Sequence, residues 1–148
     1  MEFKAGQGSY MQKQLKEHVA KYICAFLNSE GGTLLVGVND SGEVLGIQCT
    51  QHIEDLLRQK MDATIKEIAP QVFPNMYTID FVPVCDIAHV PLENRKVLEI
   101  TVKQTSMSSL YQTHHGHVFV RRDGSVQGPL KASDIQEWTR MVGSRLTI

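Results

Sequence analysis

The sequence has no apolar run near the roughly 20 residues a helix needs to cross a bilayer, so membrane insertion is not expected. It has no GxxxxGK[ST] element and no Cys-x-x-Cys pair. The first absence counts against a phosphate-cradling nucleotide site. The second counts against zinc-ribbon and thioredoxin-like motifs. The 3 cysteines, Cys24, Cys49 and Cys85, are odd in number and widely spaced, and no secretory leader opens the chain. Reduced thiols in a cytoplasmic protein, or equally a nuclear one, are the expected state. Net charge is scarce as well: 15 Lys and Arg against 16 Asp and Glu leave −1. That balance argues against a domain that coats nucleic acid by bulk charge, since such domains are strongly basic. It leaves room for a local basic stripe. Repeats, low-complexity tracts and interdomain linkers are absent too.

What is present is 148 residues, 42% of them apolar. This is the size of one domain, and a single domain over 1–148 is expected. Such a chain can bury a core without disulfides or metal, and it is too apolar for disorder. It opens on Met1-Glu2-Phe3-Lys4 and stops soon after its last helical pattern, as either a segment of a longer protein or a native chain would.

Glu2 to Lys4 reads as a strand end and Ala5 to Gly8 as a loop. Ser9 with Gln12 three residues on predicts a capping box opening a helix. Met11, Leu15, Val19, Tyr22, Ile23, Phe26 and Leu27 then recur at helical spacing. Gly31-Gly32 marks the helix end. The run Thr33 to Val38 predicts a strand buried on both faces, Asn39 to Gly42 a hairpin turn, and Glu43 to Ile47 its partner strand. A second helix is expected from about Thr50 to Ala69, stopped by Pro70. Tyr77 to Val84 and Lys96 to Lys103 read as strands flanking a loop from Asp86 to Arg95, with Pro83 marking a strand edge or end. Gln104 to Ser109 reads as a polar connection. A last strand centres on Val118-Phe119-Val120, Asp123-Gly124-Ser125 is a turn, and Ser133 with Gln136 caps a short helix through Trp138 and Met141. Hairpins dominate, so the expected fold is α+β, a mixed β-sheet flanked by helices, rather than a doubly wound parallel sheet.

Few residues carry recognisable chemistry. Gly31-Gly32 follows a helix and leads into a strand, the reverse of the order a phosphate cradle needs, so it reads as a tight turn. Paired carboxylates hold a divalent ion through hard oxygen ligands; Glu2 and Asp40 are the candidates. An Asp in an Asn-Asp-Ser-Gly turn more commonly bonds its own backbone. His114, His115 and His117 suit metal, phosphate or acid–base work on RNA, although such clusters are more commonly polar loops. Cys85 and His89 lack two further zinc ligands, so no zinc site is expected. Arg121 and Arg122, with Lys4 and the helix lysines Lys13 and Lys16, read either as a phosphate-binding stripe or as a solvated charged face.

The order of these pieces has a counterpart. Glu2-Phe3-Lys4, a helix ending Ala25-Phe26-Leu27-Asn28-Ser29-Glu30-Gly31-Gly32, then Leu34 to Gly42 and Val44-Leu45-Gly46 resemble the AlbA_2-type core of the Schlafen family, whose consensus runs roughly EFK, then AFANTxGGxLLIGVDDxGxVxG. Val118 to Ser125 and the helix from Ser133 to Met141 are similar to its closing strand and helix. The resemblance implies a metal-dependent endoribonuclease lobe. Several Schlafen cores cut tRNA-like RNA, and Schlafen-like lobes combine to trim piRNA precursors. It implies a site of two glutamates and an aspartate aided by Mg²⁺ or Mn²⁺. By position, Glu2 and Asp40 would be catalytic and metal-binding, and Lys4 would contact phosphate. Asn39 stands where the family has the first Asp of its pair. The family's first glutamate falls a few residues before the EFK motif, ahead of Met1. Ser108-Ser109 stands where a zinc-binding Cys pair would be. The implied partners are RNA and, because active members pair two lobes, a second copy or another Schlafen-like lobe. The contrasting expectations are a non-catalytic RNA-binding or assembly module and, more weakly, a nucleotide-binding domain, against which the missing P-loop counts.

Overall fold

A computed structural model describes residues 8–103 and 109–146, with side chains described for 13–103 and 109–141. Glu2, Lys4, the Ala5–Gln7 part of the expected loop, the Met11 and Gln12 side chains, and all but Ser109 of the polar connection lie outside the described residues. The first helix, α1, spans Gly8–Leu27. It begins before Ser9, so Ser9 sits in its first turn rather than at its cap. Leu15, Val19, Ile23, Phe26 and Leu27 are buried along one face, as their spacing predicts. The helix ends when Gly31, at φ 80°, donates its N–H to the Phe26 carbonyl. That left-handed cap reverses the chain at little steric cost.

The chain then enters β1 (Gly32–Val36). Leu34 and Val36 are buried, while Thr33 and Leu35 are exposed. The expectation of a strand buried on both faces is corrected: the helices cover one side of this sheet, and β1 shows the alternation of a half-buried strand. The expected hairpin partner is also corrected. Only one bridge, Val38 to Val44, joins the two arms. The returning segment becomes β2 (Ile47–Gln48), which pairs with a later strand, β4 (Pro91–Val102).

Helix α2 runs over Gln51–Lys66, shorter at its end than expected. Thr50 caps it by accepting from the Ile53 N–H at 3.3 Å. Leu57, Met61 and Ile65 are buried on its inner face. A 3₁₀ turn at Pro74–Met76 leads into β3 (Tyr77–Cys85). β3 and β4 form a long hairpin, so the loop expected from Asp86 to Arg95 is corrected to a tight turn. There the Asp86 carboxylate accepts from the Ala88 and Val90 N–H groups at 2.8 and 3.0 Å. Arg95 belongs to the strand because Gln48 of β2 pairs with it, and Asn94 beside it accepts the Cys49 N–H at 2.6 Å.

β4 is the centre of the sheet. β3 lies along one edge; β1 and then β2 lie end to end along the other. Every pair among the described strands is antiparallel, so the mixed sheet expected from sequence is an antiparallel one. The α+β class stands. Pro83 lies in β3, which among the described strands pairs with β4 alone, the edge position a proline tolerates. The Arg58 guanidinium donates to the Ile79 carbonyl on that edge and lies over Phe81 at 5.1 Å, which blunts it against pairing with another chain. Leu98, Ile100 and Val102 of β4 bury their side chains with Val19, Ile23, Met61 and Ile65 in one core.

The last strand shrinks to β5 (Val120–Arg122), which turns through Asp123-Gly124 into β6 (Ser125–Gln127). Helix α3 (Ala132–Leu146) starts before Ser133. The expected Ser133–Gln136 cap is replaced: Lys131 is the cap position, and the Asp134 carboxylate reaches back to its N–H at 3.2 Å.

Candidate functional site

Beyond Val36 the chain leaves the sheet and returns at Ile47. Two glycines close the base of this excursion. Gly37 and Gly46 have φ of 105° and 73°, and the Gly37 carbonyl accepts from the Leu45 and Gly46 N–H groups at 3.0 and 2.8 Å. A Cβ on Gly37 would stand 3.0 Å from the Gly46 Cα. At the tip, the Asn39 side-chain carbonyl accepts from Ser41 N–H, Ser41 hydroxyl and Glu43 N–H at 3.2, 2.8 and 2.8 Å. Asn39 thus performs the turn chemistry that sequence assigned to Asp40. Asp40 is exposed, and its carboxylate makes no hydrogen bond or ion pair with another described residue.

The start of β1 is constructed differently. Asn28, 2% exposed, receives the Tyr111 N–H at 2.7 Å and donates to the Tyr111 and Phe119 carbonyls at 2.9 and 2.8 Å. It binds the end of α1 to the 111–119 segment. Ser29 continues the seam: its hydroxyl accepts the Arg121 N–H at 2.9 Å and donates to the Arg121 carbonyl at 3.3 Å. The Arg121 guanidinium lies 5.1 Å from the Phe26 ring centre, within cation–π range. Gly32 makes room for both: a Cβ there would come within 2.7 Å of Phe26 and 2.8 Å of Arg121 Nη1. A cleft of about 460 Å³ opens beside this seam, walled by Asn28 to Glu30, Val120 to Gly124, Trp138 and Met141.

The sequence-predicted site residues therefore separate. Arg121 lies against Gly32, while Asp40 lies beyond Val36. The strand between those two ends is roughly 13 Å long. Lys13 and Lys16 are exposed on the N-terminal half of α1, and Lys16 pairs with Glu67 at 3.4 Å. Lys16 stands roughly 15 Å along the helix from Phe26. Lys13 and Lys16 thus lie on one part of the surface, and Arg121 and Arg122 on another. Glu2 and Lys4 lie outside the described residues. The Trp138 side of the cleft carries no sequence motif; its only signal was a tryptophan on a helix just after the Arg-Arg-Asp-Gly turn.

His114, His115 and His117 are exposed, and neighbouring rings stand 5.3 and 6.0 Å apart. His115 Nε2 faces Glu17 at 3.4 Å. Among the described residues, no three His, Cys, Asp or Glu side chains converge as a set able to hold one ion. Burial and local partners, not a shared site, perturb the ionisable groups, His18 and Cys24 among them. Burial, helped by Lys21, lowers His18 to about 4, and burial pushes the Cys24 thiol up to about 11. Cys24, Cys49 and Cys85 are all free thiols. No described helix is long and apolar enough to cross a membrane.

The family model described as Schlafen, AlbA_2 matches residues 1–129. Among solved structures, the crystal structure of the DIP2311 protein from Corynebacterium diphtheriae superposes with a TM-score of 0.52 at 22% identity. The match covers 86% of this chain and 23% of that one, so the chain spans about a quarter of that protein's length. That likeness is one of fold.

Proposed function

The chain belongs to the Schlafen AlbA_2 family, and on that premise we propose that it is an RNA-processing lobe. It holds a tRNA-like RNA or a small-RNA precursor and, with Mg²⁺ or Mn²⁺ and a second lobe, cuts the backbone as an endoribonuclease. Within the family it fits the single-lobe branch that Schlafen-like protein 1 represents. Its working form is a homodimer or a heteromer with another Schlafen-like lobe, in the cytoplasm or nucleus.

The observation that carries this reading is the Asp40 carboxylate. It projects from a hairpin that Asn39 and two glycines organise without it. Mg²⁺ and Mn²⁺ take carboxylate oxygens, so Asp40 suits such an ion in kind. As a one-carboxylate donor among the described residues it needs company, and Glu2 is assigned that part from the family motif. When bound, such an ion stabilises charge developing on the phosphodiester. The remaining work falls to the chain's cations. Lys13 and Lys16 neutralise phosphates on one side, and Arg121 and Arg122 orient them on the other; Lys4 is assigned a phosphate contact from the family motif. Two separated patches suit an extended substrate, and they reconcile phosphate binding with a net charge of −1.

A second reading follows from the same count. With one unengaged carboxylate on the hairpin and no converging metal-ligand set among the described residues, the lobe would bind RNA without cutting it. Incubating a labelled tRNA pool with Mn²⁺ and either the chain or its Glu2→Ala/Asp40→Ala variant separates the two. Cleavage lost in the variant supports the nuclease. RNA bound but left intact by both proteins supports the binding module.

A further inference from the structure

We infer that the cleft between the end of α1, the β5–β6 turn and α3 is a pocket for one unstacked nucleobase of single-stranded RNA. This rests on the proposed RNA-binding role and deepens it. The cleft's volume of about 460 Å³ falls in the range of small-ligand sites, roughly 300–1,000 Å³. Its walls are chemically divided. Trp138 and Met141, both on α3, supply an apolar side, and Trp138 is half-buried. Arg121 and Arg122 supply two guanidiniums, and neither is ion-paired with a described carboxylate. Glu30 and Asp123 add exposed carboxylates without a described hydrogen bond or ion pair.

That division matches a nucleotide better than a bare anion. An indole offers a stacking face to any base. Guanidiniums take the flanking phosphate. The carboxylates would repel a phosphate placed among them, yet accept hydrogen bonds from an exocyclic amino group. The pocket therefore favours cytosine, guanine or adenine over uracil. Trp138 and Met141 lie beyond residues 1–129, where the family match ends. The arginines lie within the matched span.

Trp138 is the chain's one tryptophan, so its fluorescence reports on this pocket alone. The intact 148-residue chain is titrated with CMP, UMP and ribose 5-phosphate while its emission is followed. Binding of labelled single-stranded RNA, with normal or abasic residues, is measured in parallel by anisotropy. Saturable quenching by CMP, weaker by UMP and absent with ribose 5-phosphate, is expected. Trp138→Ala should weaken normal RNA roughly 10-fold and leave abasic RNA unchanged, while Trp138→Phe keeps most of the affinity. RNA binding without quenching overturns the pocket and leaves the RNA-binding role standing. CMP quenching without RNA binding keeps the pocket and overturns that role. Equal quenching by ribose 5-phosphate, or neither signal, overturns the pocket.

Discussion

At the start of β1, Asn28 and Ser29 are tied into the 111–121 segment by hydrogen bonds at both ends of the asparagine amide and by a reciprocal serine pair. At the far end of the same strand, the 37–46 hairpin is closed by backbone and Asn39, and the Asp40 carboxylate bonds to no other described residue. Polar side chains hold both ends, yet at the far end Asn39 carries these bonds and the Asp40 carboxylate makes none with a described residue. A buried polar group must be paired or it costs free energy, so its partners explain it completely. An exposed carboxylate with no structural task is available for a ligand. The contrast separates residues that hold the lobe together from residues free to act on a substrate.

Substitutions can break this comparison. The largest effect is expected at the stitched end. Asn28→Ala strands the Phe119 carbonyl and the Tyr111 N–H inside the protein and leaves the Tyr111 carbonyl only the Cys24 thiol at 3.3 Å; at roughly 1–3 kcal/mol for each stranded group, thermal unfolding should show a loss of at least about 2 kcal/mol. A loss below about 1 kcal/mol would mean the seam is not structural. Gly32→Ala comes next. Its Cβ overlaps Phe26 and Arg121, and overpacking of this kind costs about 1–3 kcal/mol by chemical denaturation.

Smaller effects sharpen the functional side. Arg122→Ala should leave stability within about 0.5 kcal/mol. The slope of log affinity for single-stranded RNA against log salt should fall by roughly 0.7 for each phosphate that is no longer neutralised. Lys13→Ala should do the same independently, because the two patches lie apart; a strongly non-additive double variant would argue for one shared site. The last effect concerns pH. Burial holds His18 at about 4, below its ordinary value, so the folded state favours the neutral ring. Stability from this source is complete above about 6.5, the unfolded value, and is lost as pH falls toward 4. His18→Gln should flatten that part of a stability–pH profile measured by urea unfolding.

Much of this architecture was legible in sequence because periodicity is local. The α1 face from Leu15 to Leu27, the Asp123-Gly124 turn and the edge character of Pro83 all follow from neighbouring residues. The errors came where pairing is decided at a distance. The β2 segment joins β4 instead of β1, and the second half of the Asp86–Arg95 stretch is strand, because a partner far along the chain supplies the ladder. At the site, Asp40 could be singled out, but the partner that frees it could not: Asn39 and Asp40 are equally good turn residues until the backbone assigns one of them. Asn28 had no visible signal beyond its place near a helix end. Trp138 showed only as a tryptophan on the last helix, since a cleft is a property of three elements brought together.

The most direct test of the account pairs two readouts on one substitution. Asp40→Asn keeps the shape of the hairpin residue and removes the charge. Its thermal unfolding is compared with that of the unaltered chain, alongside Mn²⁺-dependent cleavage of labelled tRNA. The account expects an unchanged unfolding temperature and cleavage reduced by roughly 100-fold or more, as loss of a metal-site group does. Cleavage persisting at the original rate, or a fold that weakens in step with activity, would contradict it.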